Sequence, residues 1–180
     1  MYNLHTALRI IDLQIGSFSV GKSIHKSEAL LQNVQFLISS ARTEGIPIFF
    51  TIHNGKKGTP IEQGKSGWNL HPDIQLLEED VIIEKDYPDA FQQTNFQEEL
   101  TKRGVKRIII AGIQSEVCVD ATCRSASSKG YEVILIEDAH STYDTTILKA
   151  PQIINHHNQI QSQWFAVIKK AKEAFPYKSR

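Results

Sequence analysis

The most constraining feature of this sequence is an apolar segment that leads into a glycine and then a cysteine. Residues Ile108–Ala111 form an apolar run typical of a strand buried on both faces, and Gly112 interrupts it. Ser115 is a favourable N-cap residue, and apolar residues after it recur at roughly helical spacing until Gly130. The segment therefore predicts a strand, a tight turn and a helix, with Cys118 in the first turn of the helix.

Cys118 has a functional interpretation and a structural one. A thiol at a helix N-terminus lies near the positive end of the helix dipole and near free backbone N–H groups, and both favour the thiolate. The same N–H groups stabilise the oxyanion that forms when a thiolate attacks a carbonyl carbon. Alternatively, a free cysteine is a small hydrophobic residue that fills a core. The segment alone leaves both interpretations open.

Length and charge narrow the class of protein. A chain of 180 residues suits one domain with a substantial core, so residues 1–180 are predicted to form a single domain. Twenty basic residues balance twenty acidic ones, which leaves no basic field for nucleic acid and no polybasic tail for a membrane. No apolar run approaches the roughly 20 residues of a membrane span. With two cysteines and no segment resembling a signal peptide, we expect a cytoplasmic protein.

Segments with strand character alternate with segments with helix character along the chain. Strands are predicted at Ala7–Leu13, Ile46–Ile52, Val81–Glu84, Ile108–Ala111, Tyr131–Ile136 and Phe165–Ile168. Helices are predicted at Ser27–Glu44, Thr94–Arg103, from Val117 to Gly130, and Thr145–Gln161 with a break at Pro151. This alternation predicts an α/β fold with a parallel sheet, right-handed connections and helices on both faces. Ligands bind such sheets outside the carboxyl ends of the strands.

Three reactive side chains follow predicted strands. Asp12 ends the first, Lys85 follows the third and Cys118 follows the fourth. Taken singly, Asp12 is a common turn former and Lys85 a common solvated charge at a sheet edge. Together they form a catalytic set, because the Lys85 ammonium lowers the pKa of the thiol and Asp12 accepts the thiol proton and later returns it to a leaving amine.

The motifs around these residues resemble the isochorismatase-like cysteine hydrolase superfamily, to which nicotinamidases are related. The resemblance rests on Ile-Asp-Leu-Gln at 11–14, Val-Ile-Ile-Glu-Lys at 81–85, and Ala-Gly-Ile-Gln-Ser-Glu-Val-Cys-Val at 111–119. It extends over nearly the whole chain, from about Ala7 to Ile168, with the motifs in the expected order.

The resemblance implies a three-layer α/β/α fold with a six-stranded parallel sheet of order 3-2-1-4-5-6. It implies an Asp12, Lys85 and Cys118 triad that cleaves a C–N bond of a small molecule through a thioester acyl-enzyme. It further implies a cis peptide at Ile113–Gln114 and an oxyanion hole made by the backbone N–H groups of Gln114 and Cys118.

Other functions stay open at this point. The chain is alternatively a catalytically inactive member of the same fold that binds a small molecule or a partner protein. Vinyl ether hydrolysis of the isochorismate type is disfavoured by the presence of Cys118. Redox sensing with Cys123 as the resolving thiol is disfavoured because the two cysteines lie on different parts of one predicted helix.

No cofactor and no metal are expected. Nicotinamidases bind a metal through an Asp-x-His pattern after the second strand, whereas Thr51 stands two residues before His53 here. His53 and His71 alone make a poor metal site. The expected partners are a small-molecule substrate and further copies of the chain, with Ile153–Phe165 as a possible contact segment, and neither nucleic acid nor a membrane.

The predicted substrate pocket depends on residues 14–26, 53–73 and 140–146, which carry few regular sequence patterns. Its predicted walls and polar groups are Gln14, Phe18, Trp68, His71 and Phe91. The structural alternative for Trp68 and Phe91 is ordinary packing of aromatic residues under a loop.

Overall fold

A computed structural model describes residues 5–19, 21 and 23–175, and within them six strands form one sheet. The strands are β1 Thr6–Ile11, β2 Ile48–His53, β3 Val81–Lys85, β4 Arg107–Ile113, β5 Glu132–Ser141 and β6 Val167–Lys169. Every pairing is parallel, and the order is β3-β2-β1-β4-β5-β6. The predicted fold class and strand order are therefore confirmed.

Helices cover both faces of the sheet. They are α1 Ile15–Phe18, α2 Ser27–Thr43, α3 Phe96–Lys102, α4 Asp120–Ser128 and α5 Ala150–Trp164. Helix α2 buries one stripe of apolar residues at spacings of three and four, which places them all on the face toward the sheet. None of the helices in the described part of the chain has the length and hydropathy that a membrane span requires.

Strand β1 lies between two separate parts of the hydrophobic core. Leu8 and Ile10 pack in the cluster under α2, whereas Ala7 and Ile11 pack in the cluster under α3 and α4. Successive side chains of a strand point to opposite faces, so a central strand covered on both sides is mostly apolar. This explains the apolar character of β1, in which Arg9 is the one charged residue and is itself fully buried.

Local structure differs from the sequence prediction at the ends of two helices. The turn after β4 is π-helical over Ser115–Val119, and its N-cap makes no side-chain hydrogen bond. The Ser115 hydroxyl instead lies 2.7 Å from Nδ1 of the buried His140. Helix α5 begins at Ala150, later than predicted, because Pro151 fits the first turn of a helix, where no hydrogen bond is lost.

Gly112 allows β4 to lie unusually close to β1. It has a φ of 125°, and a Cβ at this position would lie 2.2 Å from the carbonyl oxygen of Ile11. Any side chain here would push the two strands apart at the end where Asp12 follows β1. The glycine that interrupts the apolar run therefore keeps the turn after β4 next to Asp12.

Candidate active site

The carboxyl edge of the sheet brings Asp12, Lys85 and Cys118 together. The Nζ atom of Lys85 lies 2.7 Å from Oδ2 of Asp12 and 3.2 Å from Sγ of Cys118. All three residues are buried. Asp12 follows β1, Lys85 ends β3, and Cys118 lies in the π-helical turn after β4, so parallel strands deliver the cluster from three separate parts of the sequence.

His53 is a fourth member of this cluster that the sequence analysis did not assign to the site. It ends β2, where it pairs in register with Lys85. Its Nδ1 atom lies 3.2 Å from Nζ of Lys85. Burial, and next the positive charge of Lys85, lower the pKa of His53, so the neutral ring accepts a hydrogen bond from the ammonium. Its position at the end of a parallel strand is the signal that could have found it.

The Lys85 ammonium is held from several sides. Besides Asp12, His53 and Cys118, it donates a hydrogen bond to the carbonyl oxygen of Tyr87 at 3.2 Å. A buried ammonium is tolerated only when it is paired and its donors are satisfied. These contacts fix Nζ within reach of both the carboxylate and the thiol.

The same cluster offers three potential metal ligands, but the lysine occupies their centre. Ligand atoms of Asp12, His53 and Cys118 all lie within 4.8 Å of one another. Nζ of Lys85 is within 3.2 Å of each of these side chains, so a cation already stands where a metal would bind. Thr51, at the position of the aspartate in an Asp-x-His pattern, uses its hydroxyl on the carbonyl of Ile10. These residues therefore do not fit a metal site.

The surroundings of Cys118 favour the neutral thiol over the thiolate. Burial raises its pKa to about 12, and the negative charge of Asp12 acts in the same direction. Lys85 lowers the pKa but does not outweigh these two effects. Lys85 thus acts on the thiol pKa in the expected direction, while burial and Asp12 act against it. The chemistry the site can perform needs a base that removes the thiol proton, and the Asp12 carboxylate lies within 4.8 Å of Sγ.

The turn that carries Cys118 is fixed by its own backbone. The Ile113–Gln114 peptide is cis, and the Gln114 carbonyl accepts hydrogen bonds from the amides of Val117 and Val119, each at 3.1 Å. Cys118 lies between these two donors and is 8% exposed. The thiol is thus held in a short turn at the edge of the core rather than on a mobile loop.

The structure gives Gln14 a different position from the predicted pocket wall. Its side chain is fully buried. Its side-chain amide accepts a hydrogen bond from the backbone N–H of His53 at 2.9 Å and donates one to the backbone carbonyl of His53 at 3.0 Å. It donates a further hydrogen bond to the backbone carbonyl of Trp68 at 2.8 Å. Gln14 therefore ties the end of β2 to the long loop that follows it.

The predicted aromatic walls are mostly engaged in packing. Phe91 is buried in the core under α3 and α4, with its ring 4.7 Å from the ring of Phe96, as the structural alternative proposed. Phe18 packs against His71 with 4.6 Å between ring centroids. The Trp68 indole donates a hydrogen bond to Oδ1 of Asn54 at 2.8 Å. These contacts stabilise the loops around the site.

A cavity of about 310 Å³ opens at the Gln114 side of the turn that carries Cys118. All three loop regions that were expected to shape the pocket contribute to this cavity. However, none of the five predicted pocket residues lines it. Its lining residues are Gly16, Ser17, Pro60, Ile61, Gln114, Glu116, Tyr143, Asp144 and Thr145. Sequence reasoning missed them because loop conformation, rather than periodicity, brings them together.

Known proteins match this chain in both sequence and structure. The model of the isochorismatase domain matches residues 6–151. Nicotinamidase 3 of Arabidopsis thaliana is 32% identical over 160 residues, which cover 80% of this chain and 77% of that protein. Streptothricin hydrolase of Streptomyces noursei is 31% identical over 138 residues, which cover 77% of this chain and 55% of that protein.

A solved structure agrees with these matches. The crystal structure of an isochorismatase family protein has 33% sequence identity and a TM-score of 0.87, over 92% of this chain and 98% of that one. The three-layer fold with a cysteine at the carboxyl edge of its sheet, together with these relatives, defines a hydrolase. The chain belongs to the isochorismatase family.

Proposed function

We propose that this protein is a metal-independent cysteine hydrolase that cleaves an amide-type C–N bond of a small molecule. The observation that carries this proposal is the position of Lys85 Nζ, 2.7 Å from Asp12 Oδ2 and 3.2 Å from Cys118 Sγ. A nucleophile next to a base and a fixed cation is the arrangement that covalent acyl transfer requires. The name of one relative, nicotinamidase, describes hydrolysis of an amide.

In the first half of the proposed reaction the thiol becomes an acyl carrier. Asp12 removes the Cys118 proton as sulfur attacks the carbonyl carbon, and Lys85 stabilises the developing thiolate. The carbonyl oxygen becomes an oxyanion that the backbone N–H groups of Gln114 and Cys118 hold. The C–N bond then breaks, Asp12 returns the proton to the leaving nitrogen, and a thioester remains on Cys118.

In the second half a water molecule releases the acyl group. Asp12, again a carboxylate, removes a proton from the water as its oxygen attacks the thioester carbon. The same backbone N–H groups hold the second oxyanion. The C–S bond breaks, the sulfur regains the proton from Asp12, and the carboxylic acid product leaves. The high thiol pKa fits this cycle, because the resting enzyme begins and ends with a neutral thiol.

The two cysteines provide a matched test of the nucleophile. Cys118→Ala removes the proposed nucleophile, and we expect ammonia release from a panel of small primary amides to fall at least about a thousandfold. Cys123→Ala is the control, because Cys123 is fully buried in the core under α4 and burial keeps its pKa above the ordinary value. It should retain activity within a few-fold.

Two outcomes of this experiment would contradict the proposal. Ammonia release that survives Cys118→Ala would exclude a thioester intermediate on this residue. The second outcome is that a chelator abolishes ammonia release by the wild type and that added divalent metal restores it. This would show that a metal ion, rather than the Lys85 ammonium, is the cation the reaction needs.

A further inference from the structure

The cavity next to the catalytic turn carries a carboxylate that the proposed reaction does not use. Glu116 lines this cavity together with Gln114, and it precedes Cys118 by two residues in the same π-helical turn. The cavity volume of about 310 Å³ is that of a site for a small ligand. A molecule that fills this cavity therefore lies beside the turn that carries the thiol.

The Glu116 carboxylate is only half satisfied. Its Oε1 atom accepts a hydrogen bond from the Thr142 hydroxyl at 2.8 Å. Its Oε2 atom is buried and has no hydrogen-bond partner among the described residues. A buried carboxylate oxygen without a donor is costly, so such groups are normally paired in the functional state of a protein. Thr142 occupies one oxygen, and because the second is enclosed, a donor in the cavity reaches it only when the carboxylate turns toward the cavity.

The charge of the cavity is negative and largely due to Glu116. The lining includes two carboxylates, Glu116 and Asp144, and neither a lysine nor an arginine. Asp144 is paired with Lys149, with 2.8 Å between Oδ2 and Nζ. Glu116 makes no ion pair within the described ranges. Its charge acts on Tyr143, the pKa of which is raised first by burial and then by this carboxylate.

We propose that Glu116 selects substrates that carry a protonated amine. This inference rests on the proposed hydrolase function and names its substrate class, a small amide with a cationic group separated from the scissile carbonyl by a short carbon chain. Pro60 and Ile61 supply apolar wall for that chain. A substrate with a carboxylate in the same place is repelled by Glu116 and disfavoured.

Three amides of matched length test this selection by binding alone. They are 4-aminobutanamide, its methyl isostere pentanamide, and 4-amino-4-oxobutanoate, which carries a carboxylate. Calorimetric titration uses the Cys118→Ala protein, so that no ligand is consumed. Two double variants are titrated beside it: Cys118→Ala with Glu116→Gln, and the control Cys118→Ala with Glu28→Gln. Glu28 is an exposed charge on α2, far along the chain from the turn.

We expect 4-aminobutanamide to bind the Cys118→Ala protein at least about tenfold more tightly than pentanamide. The reason is that only its ammonium group can donate a charge-assisted hydrogen bond to the Glu116 carboxylate. Glu116→Gln should remove this preference and leave the affinity for pentanamide unchanged, which also shows that the variant is folded. Glu28→Gln should preserve the preference. The carboxylate amide should bind most weakly, and Glu116→Gln should improve its binding.

The selection by Glu116 is overturned if 4-aminobutanamide shows no measurable binding, if the three amides bind equally, or if Glu116→Gln leaves the preference intact. The hydrolase proposal fails separately. If the wild type releases no ammonia from 4-aminobutanamide although the Cys118→Ala protein binds it through Glu116, the recognition role stands and the catalytic role does not.

Discussion

Asp12 and Asp120 lie on two sides of the Ser115–Val119 turn, and their surroundings differ sharply. Asp12 is buried and pairs with a single cation, the Lys85 ammonium at 2.7 Å, with the Cys118 thiol nearby. Asp120 begins α4 and accepts several hydrogen bonds. Its donors are Arg124 at 2.7 and 3.1 Å, His157 at 3.0 Å and Gln161 at 2.7 Å.

The two carboxylates differ in the number of hydrogen-bond donors that hold them. Burial alone would raise the pKa of Asp120, but the hydrogen bonds from His157, Arg124 and Gln161 lower it well below its ordinary value. Such a carboxylate stays ionised and fully occupied near neutral pH. Asp12 has fewer partners and a thiol proton within reach, so it suits the role of a base.

The largest effect that tests this comparison is on catalysis. Asp12→Asn removes the proposed base and keeps the size of the side chain, and we expect ammonia release to fall about a thousandfold. Asp120→Asn is the same chemical change at the structural aspartate, and we expect activity within about threefold of the wild type. Steady-state kinetics with one amide substrate measures both. Equal losses in the two variants would remove the distinction.

A smaller effect concerns stability. Asp120→Asn weakens charge-assisted hydrogen bonds from Arg124 and His157, and we expect the free energy of unfolding to fall by about 1–3 kcal/mol. Urea denaturation followed by circular dichroism measures this change. Glu78→Gln, which removes one exposed charge in the loop before β3, should change the free energy by less than about 0.5 kcal/mol. An Asp120→Asn protein as stable as the wild type would show that these contacts contribute little.

The sequence was sufficient for the parts of the fold that depend on periodicity. Alternating strands and helices predict the parallel sheet, and carboxyl ends of parallel strands lie at one edge, so the meeting of Asp12, Lys85 and Cys118 follows from topology. The same rule applies to His53, which ends β2 beside Lys85. The fold is therefore predictable because each element carries its own apolar pattern.

The features that the sequence analysis missed depend on contacts between residues far apart in the sequence, which no local sequence pattern reveals. The high pKa of Cys118 results from its burial and from the charge of Asp12, which is more than a hundred residues away in the sequence. The position of Gln14 depends on the backbone of His53 and Trp68, on separate segments. Glu116 meets the cavity through loops whose conformation is set only in the folded chain.

The measurement that tests the acid–base role of Asp12 most directly is the pH dependence of Cys118 alkylation by iodoacetamide. Thiolate reacts and thiol does not, so the midpoint of the profile reports the thiol pKa. For the wild type we expect a midpoint above that of free cysteine, because burial and the charge of Asp12 raise the thiol pKa.

Asp12→Asn removes the negative charge that raises the thiol pKa and leaves the Lys85 ammonium that lowers it. We therefore predict a midpoint at lower pH and faster alkylation at pH 7 than in the wild type, in the same variant that has lost hydrolysis. Peptide mass mapping assigns the modification to Cys118 rather than Cys123. A midpoint that stays in place or moves to higher pH would show that Asp12 does not control the Cys118 proton.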